Sequence, residues 1–270
     1  MRDYLPTWSQ DLSRVVLDWG SRRRRSARAR SFEEGEGAGN LAQKVSPQGT
    51  VLAGPFAGLW MGHSGTWGGL AARLSGSYEQ ELHASVEAIL ADRPSVVIDV
   101  GAAEGYYAVG IARALPGSQV HAFEIEPTAR GNCRLVAERN GVSNLKIHGR
   151  ATPKRLAALL RPTAFVLCDC EGYEQDLLDP IVTPTLANVK LLVELHEFCR
   201  PGVTQVIADR FQRSHEIELI TATQREVASQ PQLKHLSEID AFAALQEGRP
   251  GEPCPMQWAV MTPRLFVKPV

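Results

Sequence analysis

The stretch V-V-I-D-V-G-A-A-E-G-Y-Y, residues 96–107, decides the fold. Its opening is a short β-branched apolar run, the pattern of a buried strand. The run passes directly into Gly101-x-x-x-Gly105 and then into apolar residues at helical spacing (Ala108, Val109, Ile111, Ala112, Leu115), closed by Pro116-Gly117. A loop at the carboxyl end of such a strand is where open α/β sheets bind ligands. Glycine there lets the backbone come close to whatever is bound.

The same alternation continues on both sides. Upstream, Leu82, Val86, Ile89 and Leu90 predict a helix over 78–90 that stops at Pro94. Downstream, strands are expected at 119–124, 144–149, 165–170, 189–196, 216–221 and 257–262. Helices begin at Pro127, at Thr152-Pro153 and at Val203, and Asn140-Gly141 ends the first of these. Strands alternating with helices predict a seven-stranded, mostly parallel sheet with helices on both faces. Residues 222–256 hold many helix breakers, so the last strand is expected to run antiparallel.

Nineteen residues past Gly105 the second strand ends in Glu124, placed to accept hydrogen bonds from both hydroxyls of a ribose. NAD and S-adenosylmethionine (SAM) both carry that ribose. Two details separate them. The loop lacks the G-x-G-x-x-G triad that fits a pyrophosphate to a helix start. It also follows Asp99 and contains Glu104, and carboxylates repel a pyrophosphate. SAM has no phosphate and presents an ammonium and a sulfonium against one carboxylate. A unit-charge contact at 4 Å in an effective dielectric of about 20 is worth roughly 4 kcal/mol before desolvation, so the sign of the loop favours SAM.

D-V-G-A-A-E-G at 99–105 and F-E-I-E-P at 123–127 resemble motifs I and II of class I SAM-dependent methyltransferases. D-C-E-G-Y-E at 169–174 and V-E-L-H at 193–196 resemble motifs of the FkbM-like methyltransferases within that class. The resemblance covers 95–221 and implies a Rossmann-like class I methyltransferase fold. It implies that Gly101, Ala103 and Gly105, with Glu104 between them, form the loop under the methionine part. Asp99 would orient that loop or meet the ammonium, and Glu124, with Ile125 beside it, would hold the ribose. His148 to Ala151 would lie beside adenine. Relatives place an acid where Arg150 stands, so the adenine contact of Arg150 is an expectation shared with backbone groups. Tyr78 and Glu79 either close over the methionine end or belong to an ordinary helix start.

Methyl transfer is an in-line displacement that needs alignment and often removal of a proton from the acceptor. Candidate catalytic groups at the tips of strands four and five are Asp169, Glu171 and His196, with Glu194 beside them, and Asp169 is expected to contact the cofactor as well. His196 reads as a loop-orienting residue, a general base, or a metal ligand together with Asp169; a divalent metal is left open. Tyr173 is expected to pack over the site. Glu171 and Glu174 also suit the first turn of the following helix. Cys168 and Cys170 read as inert core thiols that do not meet one another, and His63 and His83 as surface or lid residues.

The remaining features bound the function. Hydrophobic residues make up 44% of the 270 and charged residues 22%, which suits a folded core. Twenty-nine basic against 30 acidic residues give a net charge of −1, which offers no general attraction to nucleic acid or an anionic membrane. There is no run of about 18 apolar residues and no secretory core near residue 1. The odd, scattered cysteines fit a reducing cytoplasm. Residues 1–77 are expected to be a helical and loop extension, a lid or substrate-side segment, ahead of a SAM-binding domain over 78–270. Within it, Arg22–Arg25, Arg28 and Arg30 read either as a solvated helix end or as an RNA patch. The segment 51–77 carries exposed-looking aromatics, Phe56, Trp60 and Trp67.

The expected activity is methylation of an oxygen on a small-molecule acceptor such as a sugar or natural product. A homodimer is admitted and nucleic acid is not expected as a partner. The alternatives are an enzyme that transfers or cyclises another part of SAM, releasing methylthioadenosine, and an RNA-binding protein that uses the Arg22–Arg30 run.

Overall fold

The computed structural model describes residues 40–66, 68–247 and 256–264. Seven strands form one sheet: β1 (Val96–Val100), β2 (Gln119–Phe123), β3 (Leu145–His148), β4 (Ala164–Cys168), β5 (Lys190–Leu195), β6 (His215–Thr221) and β7 (Gln257–Pro263). Their order is β3-β2-β1-β4-β5-β7-β6. The first five are mutually parallel, and β7 runs antiparallel to both β5 and β6. This is the sheet that the resemblance implies.

Alternation along the strands sends side chains to two separate cores. Val97, Val120, Ala122, Phe165, Leu167 and Leu192 join one apolar cluster, and Ile98, Val100, Phe123, Val166, Cys168 and Val193 join the other. Helices cover both faces: α1 (Leu70–Ser75), α2 (His83–Asp92), α3 (Tyr106–Ala114), α4 (Pro127–Arg139), α5 (Pro153–Leu159), α6 (Glu174–Leu177), α7 (Val203–Phe211) and α8 (Glu238–Ala244). Local chemistry sets several starts. Pro127 opens α4 behind Glu126, whose carboxylate accepts from Ala129 N–H at 2.6 Å, and Thr152 accepts from Arg155 N–H ahead of Pro153.

Register places the site. Val100 pairs with Phe123 and Cys168, Phe123 with His148, and Cys168 with Val193. The next residues of the chain therefore leave the sheet at one edge. Because β2 and β4 lie on opposite sides of β1, the connections diverge there, the position at which open α/β sheets bind ligands.

Several expectations need correction. The helix expected over 78–90 is broken: a 3₁₀ turn at Gln80–Leu82 precedes α2, and Glu79 sits at φ 48°. The fourth strand ends at Cys168, two residues early, because the chain turns through Glu171 (φ 58°) and Gly172 (φ 99°). Cys168 and Cys170 do meet, with Sγ atoms 3.5 Å apart; residues two apart in extended chain share a face. Phe56 is buried, packed so tightly on α3 that a Cβ at Gly110 would stand 2.6 Å from its ring. Trp60 is half-buried, with Asn140 bridging its backbone N–H and C=O. His63 and His83 each have a carbonyl partner, Ser46 at 2.7 Å and Tyr78 at 3.2 Å. Trp67 and the arginine run at 22–30 lie outside the described residues. Ala42, Val45, Val51, Phe56, Leu59, Met61 and Leu74 belong to the same core as β1 and β2, so from residue 42 onward the chain preceding α2 contributes to the sheet's own core.

Candidate functional site

The loop after β1 is shaped by three positive φ angles, 90° at Gly101, 47° at Ala103 and 92° at Gly105. Gly101 is a steric necessity: a Cβ there would lie 1.6 Å from the carbonyl oxygen of Asp169. Gly101 and Ala102 both donate to the carbonyl of Phe123, at 2.8 and 3.1 Å, which ties the loop to the end of β2. Gly101 and Ala103 remain half-exposed while Ala102, Glu104 and Gly105 are buried. The accessible backbone of the cradle is thus at Gly101 and Ala103.

Glu124 braces the cradle. Its Oε2 accepts from Ala103 N–H at 3.0 Å and its Oε1 from Glu126 N–H at 2.7 Å. A carboxylate has about four acceptor directions, so two backbone bonds leave capacity for a diol. Ile125 follows, half-buried, in the turn to α4. Asp99 is 1% exposed and its Oδ2 has no hydrogen-bond partner. Burial, together with Asp169 and Glu124 nearby, pushes its carboxyl up to about 8.

A strap of chain ahead of the sheet closes the other side of the loop. Glu104 accepts from Thr66 N–H and pairs with Arg73 of α1 at 3.7 Å. The Arg73 guanidinium lies 5.4 Å from the Tyr78 ring centroid, and Tyr78 meets Tyr106 edge-on at 5.4 Å. Tyr107 donates its hydroxyl to Glu79, whose own N–H donates to Glu247 at 2.9 Å. Tyr78 and Glu79 are therefore brought to the cradle, as a bend before the helix.

The tips of β4 and β5 form a second constellation. His196 Nδ1 donates to Glu174 Oε1 at 2.7 Å, and its Nε2 faces Asp169 Oδ1 at 3.4 Å and Glu194 Oε2 at 3.7 Å. Glu174 is fully buried, and the same Oε1 accepts from Cys170 and Gly172 N–H. Those donors and the imidazole hold its carboxyl below the usual range. Glu174 overcomes the burial penalty on His196 and, with Asp169 and Glu171, pushes the imidazole up to about 9. Asp169 is the member of the group that reaches solvent, its side chain 29% exposed, and burial of the rest raises its carboxyl. Asp169, Glu194 and His196 each offer one donor atom within 4.8 Å of the others. Two carboxylates and an imidazole oriented by a further carboxylate form a donor set that fits a divalent cation.

Arg150 stands apart, exposed, with its guanidinium 5.9 Å from the Tyr173 ring centroid. Glu171 faces the Cys199 thiol at 4.0 Å and acts on Asp169 and His196 through its charge. Two residues now central were not read as such in the sequence. Glu174 looked like a helix-start acid, although it is the last letter of D-C-E-G-Y-E. Arg73 stands in a short helix that nothing in the residue pattern marks.

Strand order, register and the glycine cradle together define a Rossmann-like class I methyltransferase fold. No family model and no curated protein matches the sequence. Among solved structures, the chain is similar to an rRNA methylase from Streptococcus thermophilus, at 13% identity over 68% of this chain and 96% of that one, with a TM-score of 0.46. It is similar to the O-methyltransferase TomG from Streptomyces achromogenes, involved in tomaymycin synthesis and solved with SAM, at 15% identity over 67% and 80%, TM-score 0.42. It is also similar to an O-methyltransferase from Bacillus cereus solved with S-adenosylhomocysteine (SAH), at 11% identity over 66% and 78%, TM-score 0.42. All three scores lie below 0.5, so the fold assignment stands on the strand order and register.

Proposed function

We propose that this protein is a SAM-dependent methyltransferase that methylates an oxygen of a small-molecule acceptor. The observation that carries the reading is the run of buried carboxylates around a phosphate-incompatible glycine cradle: Glu79, Asp99, Glu104 and Glu124, each no more than 2% exposed. Asp99 adds a buried oxygen with no partner beside that cradle. Such a lining suits a ligand with an ammonium, which favours the ionised form of Asp99, and it lacks the glycine triad that seats a pyrophosphate.

SAM supplies an activated methyl group when bound. The chain's residues do the rest. Gly101 and Ala103 seat the methionine part, and Glu124 takes the ribose hydroxyls. Asp169, at the mouth of the β4–β5 group, accepts the acceptor's proton. His196 serves as a positioning residue: its two nitrogens face carboxylates and it holds a proton at neutral pH, so it keeps Asp169 oriented and charged. Glu174 holds His196. Where a divalent cation takes the place of the His196 Nε2 proton, Asp169, Glu194 and His196 would hold it, and it would supply a Lewis acid for the acceptor oxygen. The resemblance of residues 169–174 and 193–196 to FkbM-like motifs favours an oxygen acceptor.

Calorimetric titration with SAM, SAH and NAD tests the reading. Binding of the first two and not the third is expected, with SAH as the product of turnover. Tight NAD binding would overturn the cofactor. Release of methylthioadenosine would overturn methyl transfer, and salt-sensitive RNA binding with no cofactor affinity would select the RNA alternative.

A further inference from the structure

A site lined by carboxylates answers the two cations of SAM and leaves its one anion, the methionine carboxylate, to be explained. That group needs a cation or convergent N–H donors, because a carboxylate among acids is repelled. Among the described residues, Arg73 is the cation that pairs with the acidic loop, through Glu104 at 3.7 Å. It is 4% exposed and stands among Glu104, Glu79, Tyr78 and Tyr106. Those groups surround the end of the cradle where the methionine part lies in the proposal above.

Resting on that cofactor reading, we infer that Arg73 is the anchor of the cofactor's carboxylate and thereby selects ligands that carry the intact amino-acid end. Three features of the placement support this. A guanidinium offers five donors in a fixed fork that matches a carboxylate, so Arg73 can serve Glu104 and a ligand together. Glu104 has a second donor, Thr66 N–H, and stays satisfied if the guanidinium turns toward the ligand. The Tyr78 ring, 5.4 Å from the guanidinium carbon, limits where the fork can swing and keeps it over the loop. Glu104 then has a defined purpose: it holds the anchor in place before the ligand arrives.

The test compares SAM with decarboxylated SAM, which keeps both cations and the nucleoside but lacks the carboxylate. Calorimetry on the full-length wild-type protein should show SAM favoured by about 10- to 100-fold, the range of a charge-assisted pair. Arg73→Gln should abolish most of that preference by weakening SAM and SAH while leaving decarboxylated SAM within about 3-fold. Arg73→Lys, which keeps the charge and loses the fork, should fall between. Equal wild-type affinity for the two ligands overturns the inference without any variant, as does a uniform loss for both ligands in Arg73→Gln. Failure of wild-type protein to bind SAM and SAH at all is a different result, and it removes the cofactor reading itself.

Discussion

His196 donates Nδ1–H to the buried carboxylate of Glu174 across 2.7 Å, and neither side chain meets bulk solvent. Glu174 is in turn fixed by the N–H groups of Cys170 and Gly172, which belong to the turn that carries Asp169 out of β4. One carboxylate thus locks the tips of β4 and β5 to each other. Its charge, more than its shape, sets the protonation of the ring.

Glu174→Gln keeps the volume and removes the charge. The imidazole should then titrate lower, and the alkaline limb of the kcat profile should move down in pH. Loss of an orienting carboxylate of this kind commonly costs about 10- to 100-fold in activity. SAM affinity should stay within about 3-fold, because Glu174 does not touch the cradle. An unmoved pH profile would argue that Glu174 only packs.

Asp169→Asn removes the proposed proton acceptor and keeps a hydrogen-bonding side chain. The expected drop in kcat is about 10²- to 10⁴-fold, the usual weight of a general base. Calorimetric affinity for SAH should be little changed. Near-normal turnover would return the role of base to another group.

Stability should fall as pH rises from neutral. His196 is held at about 9 against an ordinary 6.5, so the folded protein grips that proton more tightly. Its contribution is complete below about pH 6.5 and lost as pH passes about 9. Asp99 acts in the same direction: its carboxyl is held at about 8 against an ordinary 3.8, so ionising it in the folded state costs stability across that interval. A melting temperature that declines between pH 6.5 and 9 is expected, less steeply in Glu174→Gln. A flat profile would contradict both assignments.

Cofactor binding should also release a proton. At pH 7 an Asp99 held at about 8 is mostly protonated, and an ammonium beside its buried Oδ2 favours the ionised form. Titrations in buffers of different ionisation enthalpy should reveal up to one proton released per SAM bound, and Asp99→Asn should abolish that dependence. Buffer-independent heats would place the ammonium elsewhere.

Gly101→Ala should be among the most damaging single changes in the chain. The new Cβ meets the Asp169 carbonyl at 1.6 Å, and the backbone is held at φ 90°. The left-handed strain alone is of order 1–3 kcal/mol, and the clash must displace either the cradle or the turn bearing Asp169. Lowered melting temperature together with lost SAM affinity is the expected pair of results. Glu124→Ala should act more narrowly, weakening SAM by roughly 1.5–3 kcal/mol for a charged acceptor.

The residue pattern alone determined the sheet and its ligand edge. Apolar runs of strand length, alternating with helical periodicity and punctuated at Pro94, Pro116-Gly117 and Asn140-Gly141, leave few topologies open. The placement of Gly101, Asp99 and Glu124 at that edge was legible because each lies within a few residues of a strand end, and strand ends share one edge. What needed the tertiary structure was every relation across long stretches of chain. Arg73 reaches Glu104 through the packing of a segment with no regular pattern, and Glu174 reaches His196 because β4 and β5 pair in a particular register. The protonation of His196 and Asp99 belongs to this second kind. It depends on desolvation and on the sum of neighbouring charges, and both exist only once the chain has folded around them.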